Sequence, residues 1–445
     1  MENKIAKNDE ITVTIIDLSH EGMGVAKVDG YPLFIENALP GEEVRIRVLK
    51  TLSKFGFAKV TEFITKSPER VEDANLDLIR TGIAPLAHLN YPAQLEFKRA
   101  QVVKQMRNFD VEVEPVIGAA RTHGYRNKAQ VPVRRVNDHL ATGFFRKNTH
   151  TLVPMESFYL QEPEIDEAVI AVRDILDRFG VEAYNEQDHT GNLRHIIVRR
   201  SDSTGEMMVT LVIRKKKIFQ LDKIADIIVG AVPKIVSIVV NINPDKTNAI
   251  LGDEEQVVYG TDHLEDQLLG KSYLISSRSF YQVNSEQTAV LYQKAIELAG
   301  ITKDDNVVDA YSGIGTIALS IADSAKSVTG IEIVESAVED ARRNAKLNGV
   351  SNAEFLLGDA GELIGATDYD VLIVDPARKG LSEKFIFASL KAAPKRIVYI
   401  SCNPATQARD LKLYVEGGYM IQRIVPVDMF PQTSHVECVV LMSRI

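Results

Sequence analysis

Cysteine is nearly absent: 445 residues hold two, Cys402 and Cys438. Two thiols in different contexts make no disulfide framework, and no Cys/His spacing resembles a zinc site. A free thiol suits a reducing cytoplasm. No apolar stretch reaches the length a bilayer span needs, which argues against a membrane. The polar start, residues 1–10, predicts no signal peptide. An excess of positive charge is missing too. The net charge of −9 excludes a wholesale polyanion coat, though not a local nucleic-acid site. Internal repeats and low-complexity tracts are absent, and nothing points to an obligate protein partner. What remains, 45% hydrophobic and 25% charged, is an ordinary globular composition at a length for two or three domains.

Basic residues gather locally. Residues 121–147 hold Arg121, Arg126, Lys128, Arg134, Arg135, Arg146 and Lys147, with Asp138 as the only acid. Tyr125, Phe144 and Phe145 are interleaved. A second stretch runs from Arg194, Arg199 and Arg200 to Arg214 and Lys217. Cations beside aromatics suit a strand of phosphates with bases to stack. A solvated charged sheet face is the plainer alternative.

Three regions follow along the chain. Residues 1–66 read as five short strands: 11–17, 24–28, 31–35, 43–48 and 57–63, with Asp29-Gly30 as a turn. That pattern predicts a small closed barrel of the oligonucleotide-binding kind, with Ser67 to Arg70 as its exit linker. Residues 67–270 predict a mixed α+β domain of underivable topology, with a helix over 92–103 and strands at 128–134, 196–200 and 207–213. Residues 271–445 alternate strand and helix as in a doubly wound sheet. Two last strands, 420–426 and 436–443, flank a loop too short for a parallel crossover, so they should be antiparallel neighbours. Six parallel strands and one reversed strand form the pattern of a class I (Rossmann-like) methyltransferase domain.

Candidate site residues lie at the strand ends. Asp309-Ala310-Tyr311-Ser312-Gly313-Ile314-Gly315 follows the first strand, and its glycines let backbone approach a ligand where the next helix begins. Glu332 ends the second strand and can accept ribose hydroxyl protons; Asp359, past the third, can reach an adenine amino group. The glycines also fit a relaxed nicotinamide-dinucleotide fingerprint. The acid before them and the reversed strand favour S-adenosylmethionine. Asp375 ends the fourth strand in Asp375-Pro376-Ala377-Arg378 and faces the cleft, unless it caps the next helix. Cys402 ends the fifth, in Ser401-Cys402-Asn403-Pro404. Glu437 begins the reversed strand, which brings it to the same edge as Cys402. A thiol and a carboxylate there suggest nucleophile and general base. Cys438 suits a small buried hydrophobe. Thiol, methyl donor and carboxylate together fit methylation at carbon 5 of uracil, with the base out of its stack. Cytosine or amino methylation is a rival reading, and a non-catalytic RNA-binding assembly factor another.

With Phe280-Tyr281-Gln282-Val283-Asn284 and His435-Val436-Glu437 added, the chain resembles the RNA 5-methyluridine methyltransferases. It is most similar to the Gram-positive enzymes acting on 23S ribosomal RNA; transfer RNA stays open as substrate. The resemblance spans the chain and includes the family's TRAM barrel. It implies Cys402 as nucleophile and Glu437 as base. Gln282, Tyr311, Glu332 and Asp375 are implied in or beside the S-adenosylmethionine site. Tyr125, Arg126, Asn127 and Lys128 are implied on the RNA surface, joined by Phe145 and Arg146 from the basic window. Many relatives hold a four-iron cluster through four cysteines. Asn75, Thr81, Ala84 and Phe158 stand there, so no iron–sulfur cluster is expected.

Overall fold

The computed structural model describes residues 5–147, 149–366 and 368–444. The amino-terminal segment is therefore described only from Ile5, and residues 148, 367 and 445 also lie outside the description.

Alternating Val44, Ile46 and Val48 turn inward while Arg45 and Arg47 face water, which fixes one wall of a small barrel. Its strands are β1 (Glu10–Thr14), β2 (Asp17–Leu18), β3 (Gly24–Val28), β4 (Tyr31–Glu36), β5 (Glu43–Thr51) and β6 (Gly56–Thr65). The sheet order is β1-β5-β6-β4-β3-β2. β1 and β2 sit at opposite ends of that order, yet only Ile15 and Ile16 separate them, so the chain itself closes the sheet. The run 11–17, expected as one strand, is broken for that reason. Ile15 N–H donates to Glu42 O and Ile16 N–H to Val25 O, carrying the chain from one sheet end to the other.

The exit linker is clamped. Arg70 donates bidentately to the buried Glu42 carboxylate (2.5 and 2.8 Å) and also holds Asn37. Beyond it come α1 (Leu76–Thr81) and α2 (Tyr91–Met106). Asn75 caps α1, the Thr81 hydroxyl donates to Asp77 O, and Ala84 and Phe158 are core.

The central sheet contains β7 (Lys128–Val136), β8 (His139–Phe145), β9 (Leu152–Pro154), β10 (Leu193–Arg200), β11 (Met207–Ile213), β12 (Ile235–Ile242) and β13 (Glu254–Gly260). Its order is β13-β12-β11-β10-β7-β8-β9, antiparallel except for β11 with β12. α4 (Leu221–Ala231) makes that one crossover, and α3 (Pro163–Arg178) packs beside it on one face.

The hairpin β14 (His263–Leu268) and β15 (Lys271–Ser276) follows. Its turn spans the boundary expected at 270/271, and Leu268, Tyr273 and Ile275 join the core of the last domain. The segment 91–117, expected in the central unit, likewise packs on the last sheet. Val102, Met106 and Val113 share a core with Leu411 and Tyr414, and Val113 and Ile117 bridge to Ile424 and Val427.

That last sheet has the order β18-β17-β16-β19-β20-β22-β21. Its strands are β16 (Asn306–Ala310), β17 (Ser327–Glu332), β18 (Ala353–Leu357), β19 (Val371–Val374), β20 (Arg396–Ser401), β21 (Tyr419–Val427) and β22 (Glu437–Arg444). Only β22 is reversed. The helices are α5 (Ser285–Ala299), α6 (Thr316–Ile321), α7 (Glu335–Leu347), α8 (Ala360–Leu363), α9 (Glu383–Ala392) and α10 (Pro404–Glu416). The central strands β16 and β19 are buried along almost their whole length because helices cover both faces.

Candidate active site

β20 and β22 run antiparallel, and Ser401 pairs with Cys438. The next residue outward on each strand is Cys402 and Glu437, so the register stands thiol and carboxylate across from each other at the ligand edge. The surroundings fix this pair. Asn403 caps α10 through Ala405 N–H, and Pro404 follows at the first helical position, where no N–H partner is needed. Asn403 Nδ2 (3.1 Å) and the Thr406 hydroxyl (3.2 Å) donate to Arg378 O, tying the loop after β19 to the cysteine turn. Gln407 is buried, and its Nε2 donates to Tyr399 O and Cys438 O (2.9 and 3.1 Å). It is a strut across the two strand ends. Nothing in the sequence marks it; only the fold brings a helix side chain under both strands.

Cys402 is half-buried and Cys438 fully buried within the core. Burial pushes the Cys402 thiol up to about 11, helped by the Glu437 and Asp375 carboxylates and opposed by Arg378. The start of α10 acts in the same direction as Arg378, because a helix amino terminus favours a thiolate. Glu437, 5% exposed, is pushed up to about 8 by burial and then by Asp375, again opposed by Arg378. Asp375 rises to about 7 through burial. It caps nothing: Ser382 caps α9. Arg378 Nη2 lies 3.4 Å from His435 Nε2, at the rim beside the pair.

Beside this edge is a cradle around the first strand's turn. Asp309 Oδ2 accepts Ala318 N–H (2.9 Å), while its buried Oδ1 has no partner among the described residues. Burial lifts this carboxyl to about 8. Tyr311 and Gly313 have φ of +67° and +54°, and a side chain on Gly313 would meet open space. Gly315 is different: a Cβ there would sit 2.8 Å from Phe355, so close helix–strand packing requires glycine. Glu332 accepts the N–H groups of Gly313, Ile333 and Val334 (3.1, 2.8 and 2.9 Å). It therefore holds the turn and keeps about one of a carboxylate's roughly four acceptor positions for a ligand. Asp359 is exposed just past β18, and its side chain makes no cap. Gln282 is half-buried, with its amide near the Tyr292 hydroxyl. Three carboxyls held near neutrality, an orphaned acceptor and a glycine-opened turn fit a ligand carrying a cation, an amino group and a ribose, as S-adenosylmethionine does.

The expected RNA residues divide. Two require correction. Tyr125 is buried, and its hydroxyl donates to Pro431 O (3.0 Å). Asn127 is buried, and its Nδ2 donates to Gln282 O and Ser285 Oγ (3.2 and 3.0 Å). Neither side chain reaches the surface; they join the central sheet to the segments that hold Gln282, Ser285 and Pro431. Arg126 is half-buried, 5.8 Å from the Phe430 ring. Lys128 has no carboxylate partner among the described residues, and burial, then Arg199, pushes its amine down to about 7. Arg146 is exposed and Phe145 half-buried. Other basic residues make internal contacts: Arg121 of the window pairs with Glu286, and in the second stretch Arg200 pairs with Glu162 and Arg199 donates to Ser279 O.

A second set had no local signal. The loop 428–436 between β21 and β22 leads into Glu437. Lys98 and Asp428, both fully buried, pair at 2.6 Å, and Lys98 also donates to Phe430 O. Tyr91 donates to Asp428 Oδ2, Gln287 to Asp428 O and Asn284 to Met429 O. The partners lie about 140 to 340 residues apart in sequence, so spacing could not reveal them.

Comparison with known proteins identifies the family. A TRAM domain profile matches residues 6–61, and the tRNA (Uracil-5-)-methyltransferase profile matches 90–370 and 361–445. An uncharacterized RNA methyltransferase of Enterococcus faecalis is 52% identical, covering 99% of this chain and 98% of its own length. One from Streptococcus pyogenes is 51% identical over 99% and 97%. Among solved structures, the Pyrococcus abyssi tRNA (uracil-54, C5)-methyltransferase in complex with S-adenosyl-L-homocysteine superposes with a TM-score of 0.80 at 29% identity. It covers 97% of this chain and 100% of that one. No helix among the described residues is long and apolar enough to cross a membrane.

Proposed function

The chain belongs to the uracil-5-methyltransferase family of RNA-modifying, S-adenosylmethionine-dependent enzymes, and from that premise we propose that it methylates carbon 5 of a uridine in 23S ribosomal RNA, with Cys402 as nucleophile and Glu437 as base. The observation that carries this reading is the register of β20 against β22, which faces one thiol with one carboxylate beside a methyl-donor cradle. Residues fit to hold the donor are Asp309, Tyr311, Gly313, Glu332 and Asp359, with Gln282 and Asp375 at its border. Bound there, S-adenosylmethionine supplies an electrophilic methyl group on a sulfonium.

Carbon 5 of uracil is a weak nucleophile. Cys402, once its proton has passed to solvent, would add as thiolate to carbon 6 and break the 5,6 double bond, leaving the electron pair on carbon 5 free to bond to the methyl while the pair of the broken methyl–sulfur bond stays on the donor's sulfur. Glu437 then accepts the carbon-5 proton. The freed pair re-forms the double bond and expels Cys402 as thiolate. Burial pushes Glu437 up to about 8, so it must give up its own proton before it can serve as base, and Arg378 favours that ionised form. Arg378 offsets negative charge on both groups. The cysteine must stay a free thiol, which supports action in the reducing cytoplasm.

The ribosomal substrate rests on the resemblance to Gram-positive 23S enzymes. Transfer RNA is the second reading, favoured by the P. abyssi structure, whose enzyme acts on uracil 54 of tRNA. Tritium release tests both. RNA carrying 5-tritiated uridine, isolated from a strain lacking the enzyme, should release tritium to water on methylation. The ribosomal fraction should respond and the transfer RNA fraction should not. Methylation without tritium release would exclude carbon-5 chemistry.

A further inference from the structure

Along β7, Ala129, Val131 and Val133 enter the core under α3 and α4. Lys128, Gln130, Pro132 and Arg134 alternate onto the opposite face. At the start of that row, Lys128 pairs in register with Arg199, whose guanidinium donates to Ser279 O beside Phe280 and Gln282. Arg134 lies six residues on, about 20 Å at roughly 3.3 Å per residue. There the face opens into a cavity of about 780 Å³ lined by Arg134, Phe145, Tyr184, Arg194, His195 and Lys246. Sites for small ligands span roughly 300–1,000 Å³.

We propose that this cavity holds a single-stranded nucleotide of the substrate RNA, several nucleotides from the uridine presented to Cys402. The proposal rests on RNA being the substrate. Its walls carry three cations (Arg134, Arg194 and Lys246) against one carboxylate, Glu186. Glu186 is already engaged by Arg134 (3.3 Å) and His150 (2.8 Å). In a chain of net charge −9, that local excess favours a phosphate. Both aromatic rings face guanidinium groups, Phe145 at 5.0 Å from Arg134 and Tyr184 at 4.6 Å from Arg194. Such planes stack bases without selecting sequence. His195 is neutral, pushed down to about 3 by burial and the two arginines, and its Nδ1 has no partner among the described residues.

The walls are set before binding. Arg194 donates to Asn243 O, Asp245 O and Thr247 O (2.8, 2.7 and 3.0 Å), which fixes the loop carrying Lys246. Asn243 Nδ2 closes that loop on Ala249 O and Ile250 O. The Tyr184 hydroxyl is held by His189 (3.0 Å). A pre-ordered wall lowers the ordering cost of binding.

Photocrosslinking tests the site. Wild-type protein is irradiated with 4-thiouridine-labelled total RNA from a strain lacking the enzyme, and adducted peptides are mapped by mass spectrometry. A nucleotide adduct on the peptide carrying Phe145 or Tyr184 is expected. Adducts confined to the surroundings of Arg126 and Phe280 would overturn the proposal. A second measurement uses Lys246→Glu, an exposed position. Its affinity for a long oligouridylate should fall about tenfold, with affinity for a uridine trinucleotide and the melting temperature unchanged. Unchanged affinity for the long strand would also overturn it. Crosslinking at Phe145 by a protein that releases no tritium would keep this site and refute the uridine chemistry instead.

Discussion

Three carboxyls at the residue scale, on Asp309, Asp375 and Glu437, are held near neutrality by burial at one sheet edge. Such a cluster is costly without a cation, which is what the methyl donor brings. The cost has a pH signature. Glu437 titrates near 8 in the folded chain and near the ordinary carboxylate value when unfolded. The folded state thus binds that proton more tightly. Its stabilising contribution is full at low pH and is lost as pH rises from the ordinary carboxylate range through about 8. Glu437→Gln should therefore raise the melting temperature more at about pH 9 than at about pH 5, by thermal scans of the donor-free protein. An equal shift at both would place the carboxyl in water. The meeting of Cys402 and Glu437 at one edge was legible in the sequence because strand direction brings the two strand ends together. Tyr125 and Asn127 were misread because a basic, aromatic window does not reveal which side chains turn inward.

At the scale of elements, the doubly wound half was readable, since buried parallel strands are continuous apolar runs between helices. The central sheet was not. Its one parallel pair among antiparallel ones is set by contacts far apart in sequence, as is the docking of α2 on the last sheet. That docking explains the loop between β21 and β22. Lys98 reaches from α2 to Asp428, and the loop it anchors delivers His435 and Glu437 to the cleft. Lys98→Met would leave Asp428 buried without its partner. It should lower unfolding free energy by about 3–5 kcal/mol in urea titration. Adding Asp428→Asn should recover part of that loss. A Lys98→Met protein as stable as wild type would mean that the loop is held by its other contacts.

Over the whole molecule, barrel, central sheet and catalytic sheet are joined by buried polar contacts. Arg70 fastens the barrel through Glu42, and Asn127 fastens the central sheet through Gln282. Barrel closure was legible from strand count and turns, whereas these joints were not, because each pairs residues from separate regions. On the proposed reading, the assembly brings an extruded uridine to Cys402 while holding its flanking strand. The measurement that tests this most directly is capture of the covalent intermediate. With methyl-labelled S-adenosylmethionine and RNA from a strain lacking the enzyme, Glu437→Gln should still add Cys402 and accept the methyl on carbon 5. It cannot then remove the proton, so the thiol stays attached. Denaturing electrophoresis should reveal a slow band containing protein, RNA and labelled methyl, absent when Cys402→Ala is added. A Glu437→Gln enzyme that turns over and leaves no such band would contradict the account.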